Sequence, residues 1–347
     1  MKILVTGGAG FIGSALIREA IARKHTVLNI DALTYSSSTQ SLESVSDNEL
    51  YTFSNINIKD VNALIEIFKN FSPDAVIHLA AETHVDKSID SPVDFIETNI
   101  VGTFNMLQAA YRFWLKENKS KEFRFLHVST DEVYGSLGNN GYFTETTKYD
   151  PSSPYSASKA SSDHLVRAWG QTYDLPILIT NCSNNYGPFQ FPEKLIPVVI
   201  NKAISGELIP VYGDGKNIRD WLFVDDHVDA LLAVIERGKV GRTYNIGGNS
   251  EKSNIDLVKQ ICHTLNLLRP KLDEDYADKI TFVSDRPGHD MRYAIDSSLI
   301  KKELAWTPKH NFDEGLKKTI LWYLDNEEWW RALLSKTQLN HRQGNLK

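Results

Sequence analysis

Along the first half of the chain, short runs that are apolar almost throughout alternate with longer segments whose apolar residues recur at helical spacing. The runs "KILV", "TVLNI", "AVIHLA" and "RFLHVS", with "PILIT" further on, predict strands; "SALIREAIARK" and "VNALIEIFKNF" predict helices. A run such as Ala75-Val76-Ile77 has no polar alternation and so fits burial on both faces. Alternating β and α units of this kind imply an α/β fold with a doubly wound parallel sheet. After about residue 180 the alternation weakens, and loops rich in Pro, Gly and aromatic residues appear: "NNYGPFQFPEKLIP", "VYGDGKNIRDW" and "SDRPGHDMRY". Loops of that composition beside the C-terminal edge of a sheet are where ligands are held. The expected division is residues 1–180 as one unit, with return segments within about 208–250, and 181–347 mainly as a smaller, interleaved second one. The last dozen residues, "KTQLNHRQGNLK", are polar and expected to fray.

From Asp94 to Lys116 the helical pattern is apolar on more than one face. Phe104, Leu107, Tyr111 and Trp114 form one stripe; Met106, Ala110 and Phe113 form another. A second stripe calls for a second packing partner, so a homodimer through helices near 94–116 and 155–173 is expected. A helix sandwiched within one chain is the alternative.

Composition narrows the function classes. Of 347 residues, 41% are hydrophobic and 24% charged, a globular mixture. The 38 Lys+Arg against 44 Asp+Glu leave a formal charge of -6, which excludes a sequence-independent nucleic-acid binder. Cys182 and Cys262 form neither a disulfide framework nor a metal-ligand spacing, and are read as packed thiols. "MKILVTGGAGFIG" breaks its apolar run with glycines, unlike a signal peptide, and no apolar stretch approaches the roughly 20 residues that cross a bilayer. A cytoplasmic protein without a membrane or nucleic-acid partner is expected, and no metal.

"VTGGAGFIG" puts Gly7, Gly10 and Gly13 between a strand and a helix. Glycines there allow a tight turn and close backbone approach, so that a diphosphate can sit at the positive helix N-terminus. Asp31 ends the second strand, where an acid accepts from an adenosine ribose. Ala32 and Leu33 follow, with no arginine for a 2′-phosphate, so NAD is expected rather than NADP.

"YSASK" supplies Tyr155 and Lys159, four apart on one helix face. A nearby cation together with NAD⁺ is expected to lower the phenol from its ordinary pKa near 10, making it a base for a sugar hydroxyl. "FLHVSTDEVYG" then poses a puzzle, because Asp131 and Glu132 stand side by side after Thr130. Hydride transfer needs neither. Two acids after a strand are most often a solvated turn; beside a nicotinamide site they suit a step requiring both an acid and a base.

Taken in order, "TGGAGFIG", "HLAAETHVD", "STDEVYG", "PYSASKA", "NNYGP", "RDW" and "DRPGHDMRYAID" resemble the extended short-chain dehydrogenases, and among them the dTDP-glucose 4,6-dehydratase family, from Met1 to about Trp330. The resemblance implies a Rossmann-type fold and a tightly bound, recycled NAD. It implies a hydro-lyase that oxidises a nucleotide sugar at C4, eliminates water across C5 and C6 and returns the hydride to C6. The product would be a 4-keto-6-deoxy sugar, a precursor of rhamnose-type deoxysugars. Asp131 is then the acid, Glu132 the base, and Thr130 hydrogen-bonds the C4 oxygen beside Tyr155 and Lys159. For the cofactor it implies Gly7, Gly10, Phe11, Ile12, Gly13, Asp31, Ala32, Leu33 and Thr34, then Asn57, Ile58, Leu79, Ala80, Ala81, Thr83 and Thr98, with Tyr155, Lys159 and Asn185. For the sugar nucleotide it implies Thr83, Thr130, Asn184, Lys194 and Leu195, then Pro210, Val211 and Tyr212 beside the nucleobase, with Arg219, Asn254, Asp285, Arg286 and His289.

The chain departs from the family pattern in places. Asn57 stands where an acid is usual, Ala32 where a lysine is common, and "SSSTQ" replaces a more typical Ala-Gly-Asn. These bear on adenosine binding and leave the chemistry intact. His84 is read equally as a structural or a site residue, and Trp329 and Trp330 as packing residues. Dehydratases for UDP-glucose, CDP-glucose or GDP-mannose share the scaffold, and physics alone reads no thymine from "IPVYG". A non-catalytic NAD-binding protein is the other class, against which Thr130, Asp131, Glu132, Tyr155 and Lys159 stand together.

Overall fold

The computed structural model describes residues 1–117, 120 and 122–336; most of the terminal segment expected to fray lies outside the described residues. The strands are β1 (Lys2–Thr6), β2 (Thr26–Asp31), β3 (Tyr51–Asn55), β4 (Ala75–His78), β5 (Arg124–Thr130), β6 (Ile177–Cys182), β7 (Asn184–Tyr186), β8 (Ile209–Tyr212), β9 (Ile218–Phe223), β10 (Thr243–Ile246), β11 (Glu251–Ser253) and β12 (Ile280–Val283). Seven of them form one parallel sheet in the order β10-β6-β5-β4-β1-β2-β3. The order reverses between β1 and β4. In such a sheet the ligand crevice opens there, beyond the carboxyl ends of the strands.

Burial on both faces explains the unbroken apolar runs. Ile3 and Val5 pack with the helices Phe11–Ala22 and Val224–Arg237, while Leu4 between them packs with Val61–Phe71 and Thr103–Lys116. Asp60 starts the helix Val61–Phe71 by accepting from the N–H groups of Asn62 and Ala63, both at 3.1 Å. Beyond β6 the chain builds a second lobe, with β11-β9-β7 and β12-β8 as small sheets. Its core gathers the helices Leu195–Ser205, Asn254–Leu268 and Phe312–Asp325. The chain returns to the large sheet through Val224–Arg237 and β10, which lies beside β6.

The 94–116 segment is not one uniform helix. Pro92–Phe95 leads into a π-helical stretch, Ile96–Gly102, before the α-helix Thr103–Lys116. Gly102 is packed so closely that an added Cβ would lie 2.5 Å from Ile58 Cδ1. Most of the two apolar stripes is absorbed within the chain: Met106, Leu107, Ala110 and Trp114 are buried. What remains exposed is Ile96, Val101, Phe104 and Leu115, with Tyr173 of the neighbouring helix. Among the described residues no helix is long and apolar enough to cross a membrane.

Candidate active site

The turn after β1 works by close approach. Gly7 has φ +72°, and a Cβ on it would lie 2.8 Å from the Ala80 backbone, across the reversal point of the sheet. A Cβ on Gly13 would lie 2.2 Å from Gly7 O. The following helix starts at Gly10 with no side-chain cap, so backbone N–H groups and the helix dipole face a cleft of about 310 Å³. The cradle fits a dinucleotide diphosphate.

Nearly all the residues expected around a cofactor line that cleft: Gly7, Gly10, Phe11, Ile12 and Gly13; Asp31, Ala32 and Thr34; Asn57, Ile58, Leu79, Ala80, Ala81, Thr83 and Thr98; Tyr155, Lys159 and Asn185. Leu33 is the exception. It does not line the cleft and is 40% exposed, with φ +51°. Asp31 sets that bend by accepting from the N–H of Leu33 (2.8 Å), the Ser37 hydroxyl (3.0 Å) and the N–H of Ala9 (2.9 Å). Asn57 is exposed and its side-chain oxygen accepts from the Lys59 N–H at 2.9 Å. Ser36, Ser37, Gln190 and Phe191 also line the cleft; they fall within "SSSTQ" and "NNYGPFQFPEKLIP", stretches that the sequence marks as a whole without naming these four.

Tyr155 and Lys159 sit in the opening turns of the helix Pro154–Tyr173, whose start is set by a Ser153–Ser156 capping box with Pro154 at its first position. The Lys159 ammonium donates to Val128 O at 2.9 Å, and burial lowers its pKa. Burial raises the Tyr155 phenol well above its usual value, and Glu132 raises it further; hydrogen bonding with Thr130 acts the other way. The chain's own groups thus push the phenol upward, and the lowering expected of Lys159 together with NAD⁺ has to be supplied by the bound cofactor. Burial comes first and the charges of Glu132 and Asp131 act in the same direction.

Thr130 ends β5 and caps the short 3₁₀ turn Asp131–Tyr134, its hydroxyl accepting from the Glu132 N–H at 3.3 Å. The two acids that follow differ in surroundings. Asp131 is 1% exposed, with Oδ2 buried and without a hydrogen-bond partner. Burial, then Glu132 and Asp220, hold its pKa well above the ordinary carboxylate range. Glu132 is half-buried and lines both clefts. Burial raises it, against Arg286, Arg219 and Lys194, which pull it down. One acid is sealed in surroundings that favour its neutral form; the other faces cations and the open space.

A second cleft, about 640 Å³, adjoins the first. Thr83, Asn184, Lys194, Leu195, Pro210, Val211, Tyr212, Arg219, Asn254, Arg286 and His289 line it as expected, and Thr130 opens into the neighbouring one. Asp285 does not line it. Its carboxylate instead accepts from His289 Nδ1 at 2.6 Å, so it holds a wall residue in place. Burial, and then Arg286, depress His289 to about 4, so the imidazole is neutral at neutral pH and the cationic wall consists of Arg219, Arg286 and Lys194. Arg219 is buried over the Tyr293 ring, 4.2 Å from its centroid, and donates to Asp290 O at 2.8 Å. Arg286 Nε, Asn184 Oδ1 and Asn254 Oδ1 are buried without a hydrogen-bond partner, as suits groups that await a polar ligand. His84 and Trp330 also line this cleft; Trp330 is anchored by its indole N–H to Tyr323 O at 3.0 Å, and Trp329 stacks edge-on with Trp322. Cys182 and Cys262 are free and buried, and among the described residues no cluster of His, Cys, Asp and Glu could hold a metal ion.

Asn99 was missed by sequence reasoning. This buried side chain clamps Glu82 through both its N–H (2.8 Å) and its carbonyl (3.0 Å), and donates to Ser158 at 2.8 Å. It thereby ties the loop after β4 to the helix carrying Tyr155. The π-helical turn presents it, and no local pattern predicts such a turn.

Residues 4–319 match the family model described as GDP-mannose 4,6 dehydratase. The chain is 56% identical over 350 residues to the dTDP-glucose 4,6-dehydratase of Neisseria meningitidis serogroup B, covering 99% of each. Among solved structures, dTDP-glucose 4,6-dehydratase from Bacillus anthracis str. Ames in complex with NAD is 44% identical, with a TM-score of 0.85 over 96% of this chain and 99% of that one. DesIV, a dTDP-glucose 4,6-dehydratase from Streptomyces venezuelae solved with NAD and a second ligand, is 40% identical, with a TM-score of 0.89 over 96% of this chain and 100% of that one. With its glycine cradle, paired acids and cationic cleft, the chain belongs to this family of nucleotide-sugar 4,6-dehydratases.

Proposed function

We propose that the chain is an NAD-dependent dTDP-glucose 4,6-dehydratase, converting dTDP-glucose to dTDP-4-keto-6-deoxyglucose. The observation that carries the reading is the Asp131–Glu132 pair: adjacent in sequence, unlike in environment, and beside Tyr155. When bound, NAD takes the hydride from C4, places positive charge beside Tyr155 and returns the hydride to C6. The residues of the first cleft hold it, with Asp31 at the adenosine ribose and the glycine turn at the diphosphate.

Tyr155 accepts the C4 hydroxyl proton, with Lys159 at its back and Thr130 on the same oxygen. The resulting ketone acidifies C5–H, and Glu132, kept competent as a base by Arg286, Arg219 and Lys194, removes that proton. Asp131 protonates the departing C6 hydroxyl, which its sealed site suits by preserving the neutral acid. Arg219, Arg286 and Lys194 hold the substrate diphosphate; Asn184 and Asn254 supply polar contacts; Pro210, Val211 and Tyr212 flank the base.

Residues 1–180, with the return segments within about 208–250, serve in this reading as the NAD-binding part, and 181–347 mainly as the sugar-nucleotide part. A cytoplasmic location belongs to the same reading, in keeping with two free, buried thiols. The exposed Ile96, Val101, Phe104, Leu115 and Tyr173 are the surface on which two copies pair. A monomeric mass in sedimentation at micromolar concentration rejects that pairing.

Proton NMR of the purified protein with dTDP-glucose in D₂O tests the activity. A new C6 methyl signal, with deuterium at C5, is expected. Turnover of UDP-glucose, CDP-glucose or GDP-mannose but not dTDP-glucose moves the specificity; no turnover of any, even with NAD added, leaves a binding protein.

A further inference from the structure

The dehydration has a proton balance that the paired acids alone do not close. Granted the function proposed above, C4 oxidation leaves the O4 proton on Tyr155. Elimination puts the C5 proton on Glu132 and takes a proton from Asp131, so that the C6 oxygen leaves as water. Hydride return to C6 lets Glu132 give its proton back to C5. Summed over one cycle, Glu132 is unchanged, Tyr155 has gained one proton and Asp131 has lost one. A proton must therefore pass from Tyr155 to Asp131 once per turnover, or each must exchange with bulk water.

The surroundings of Asp131 bear on which. The carboxyl is 1% exposed and its Oδ2 has no hydrogen-bond partner, so direct access from bulk water is poor. Its Oδ1 accepts from the Thr130 hydroxyl at 3.4 Å. The same hydroxyl, 8% exposed, shares the first cleft with the Tyr155 phenol, and its nearness lowers that phenol's pKa. A hydroxyl is both donor and acceptor, and rotates between partners. Its place between the proton's source and its sink is what a relay requires.

We propose that Thr130, besides contacting the C4 oxygen, is the proton relay that returns the C4 hydroxyl proton from Tyr155 to Asp131, so that this proton leaves in the product water. Tyr155 O–H gives its proton to Thr130 Oγ1 as Thr130 passes its own to Asp131 Oδ1; the phenolate and the neutral carboxyl are both restored. No oxidant, reductant or outside proton enters.

Single-turnover and steady-state rates of product formation from dTDP-glucose separate this role from the contact to C4. In Thr130→Val, the contact and the relay are both lost. The first turnover is slowed by the lost contact, but it still runs, because Asp131 begins protonated. Later turnovers wait on bulk exchange. The expected trace is a burst of one product per active site, then a steady rate about 10²-fold below the burst rate. Thr130→Ser keeps the hydroxyl and is expected to show one rate throughout. A Thr130→Val enzyme that is equally slow from the first turnover onward overturns the relay, since Asp131 is then recharged by another route, through water or Asp220. A burst in Thr130→Ser overturns it too. Wild-type protein that leaves dTDP-glucose untouched defeats instead the functional reading beneath it.

Discussion

The two clefts are built from different materials. The dinucleotide side is made by backbone: Gly7 and Gly13 let peptide groups approach to distances at which any Cβ would collide. The sugar-nucleotide side is made by side chains from four separated stretches, with Lys194, Arg219, Asn254 and Arg286 meeting in one space. A backbone site tolerates almost no change at its glycines and much change around them. A side-chain site loses affinity in increments, one charged group at a time. At the junction stand Asp131 and Glu132, which belong to a backbone turn by position and to the side-chain cleft by chemistry.

The largest effect is expected at the junction. Glu132→Gln should lower product formation by about 10²–10⁴-fold, the usual contribution of a positioned base. A single turnover followed by nicotinamide fluorescence should still report C4 oxidation; normal turnover by this variant would remove the base from Glu132. Next comes the backbone half. Gly13→Ala places a Cβ against Gly7 O and Gly8 Cα, and overpacking of that kind costs about 1–3 kcal/mol. NAD titration should show weaker binding by about 10–100-fold, with a lowered Tm. Unchanged NAD binding would mean that the turn adjusts, and the contrast between the halves would fail.

Arg286→Ala tests the incremental half. Losing one charge-assisted hydrogen bond is worth about 1.5–3 kcal/mol, so KM for the sugar nucleotide should rise by about 10–100-fold while NAD affinity holds. A fall in kcat at constant KM would instead assign Arg286 to the chemistry, through its pull on Glu132. The smallest effect is expected at Leu33→Gly. The residue lies outside the cleft at φ +51°, so NAD affinity should move by less than about 0.5 kcal/mol. A larger loss would return Leu33 to the cofactor site.

How much was legible follows the same division. The strands β1, β2, β4, β5 and β6 announced themselves because burial on both faces demands unbroken apolar runs; β3, a partly exposed strand at the sheet edge, did not. The glycine turn was readable because one residue type alone meets its steric demand. The extra stripe on the 94–116 helix was read as a partner surface, yet Met106, Leu107, Ala110 and Trp114 are consumed by the chain's own core. Periodicity counts apolar faces; it does not say what covers them. Asp285 matched a family position, yet it lies outside the cleft and accepts from His289, which lines it.

The order of residues by itself determined the sheet's apolar strands, the glycine turn after β1, and the set Thr130, Asp131, Glu132, Tyr155 and Lys159 on which the proposed chemistry rests. Each depends on local spacing or on backbone sterics, which neighbours in sequence dictate. Only the tertiary structure decided which acid is pushed more strongly toward its neutral form. That choice depends on burial and on Arg219, Arg286, Asp220 and Lys194, groups far away in sequence and close in space. It also decided that the Thr130 hydroxyl, bonded to Asp131, opens into the same cleft as Tyr155. Electrostatic fields and hydrogen-bond paths are set by distances across the fold, and those are settled when the two lobes pack.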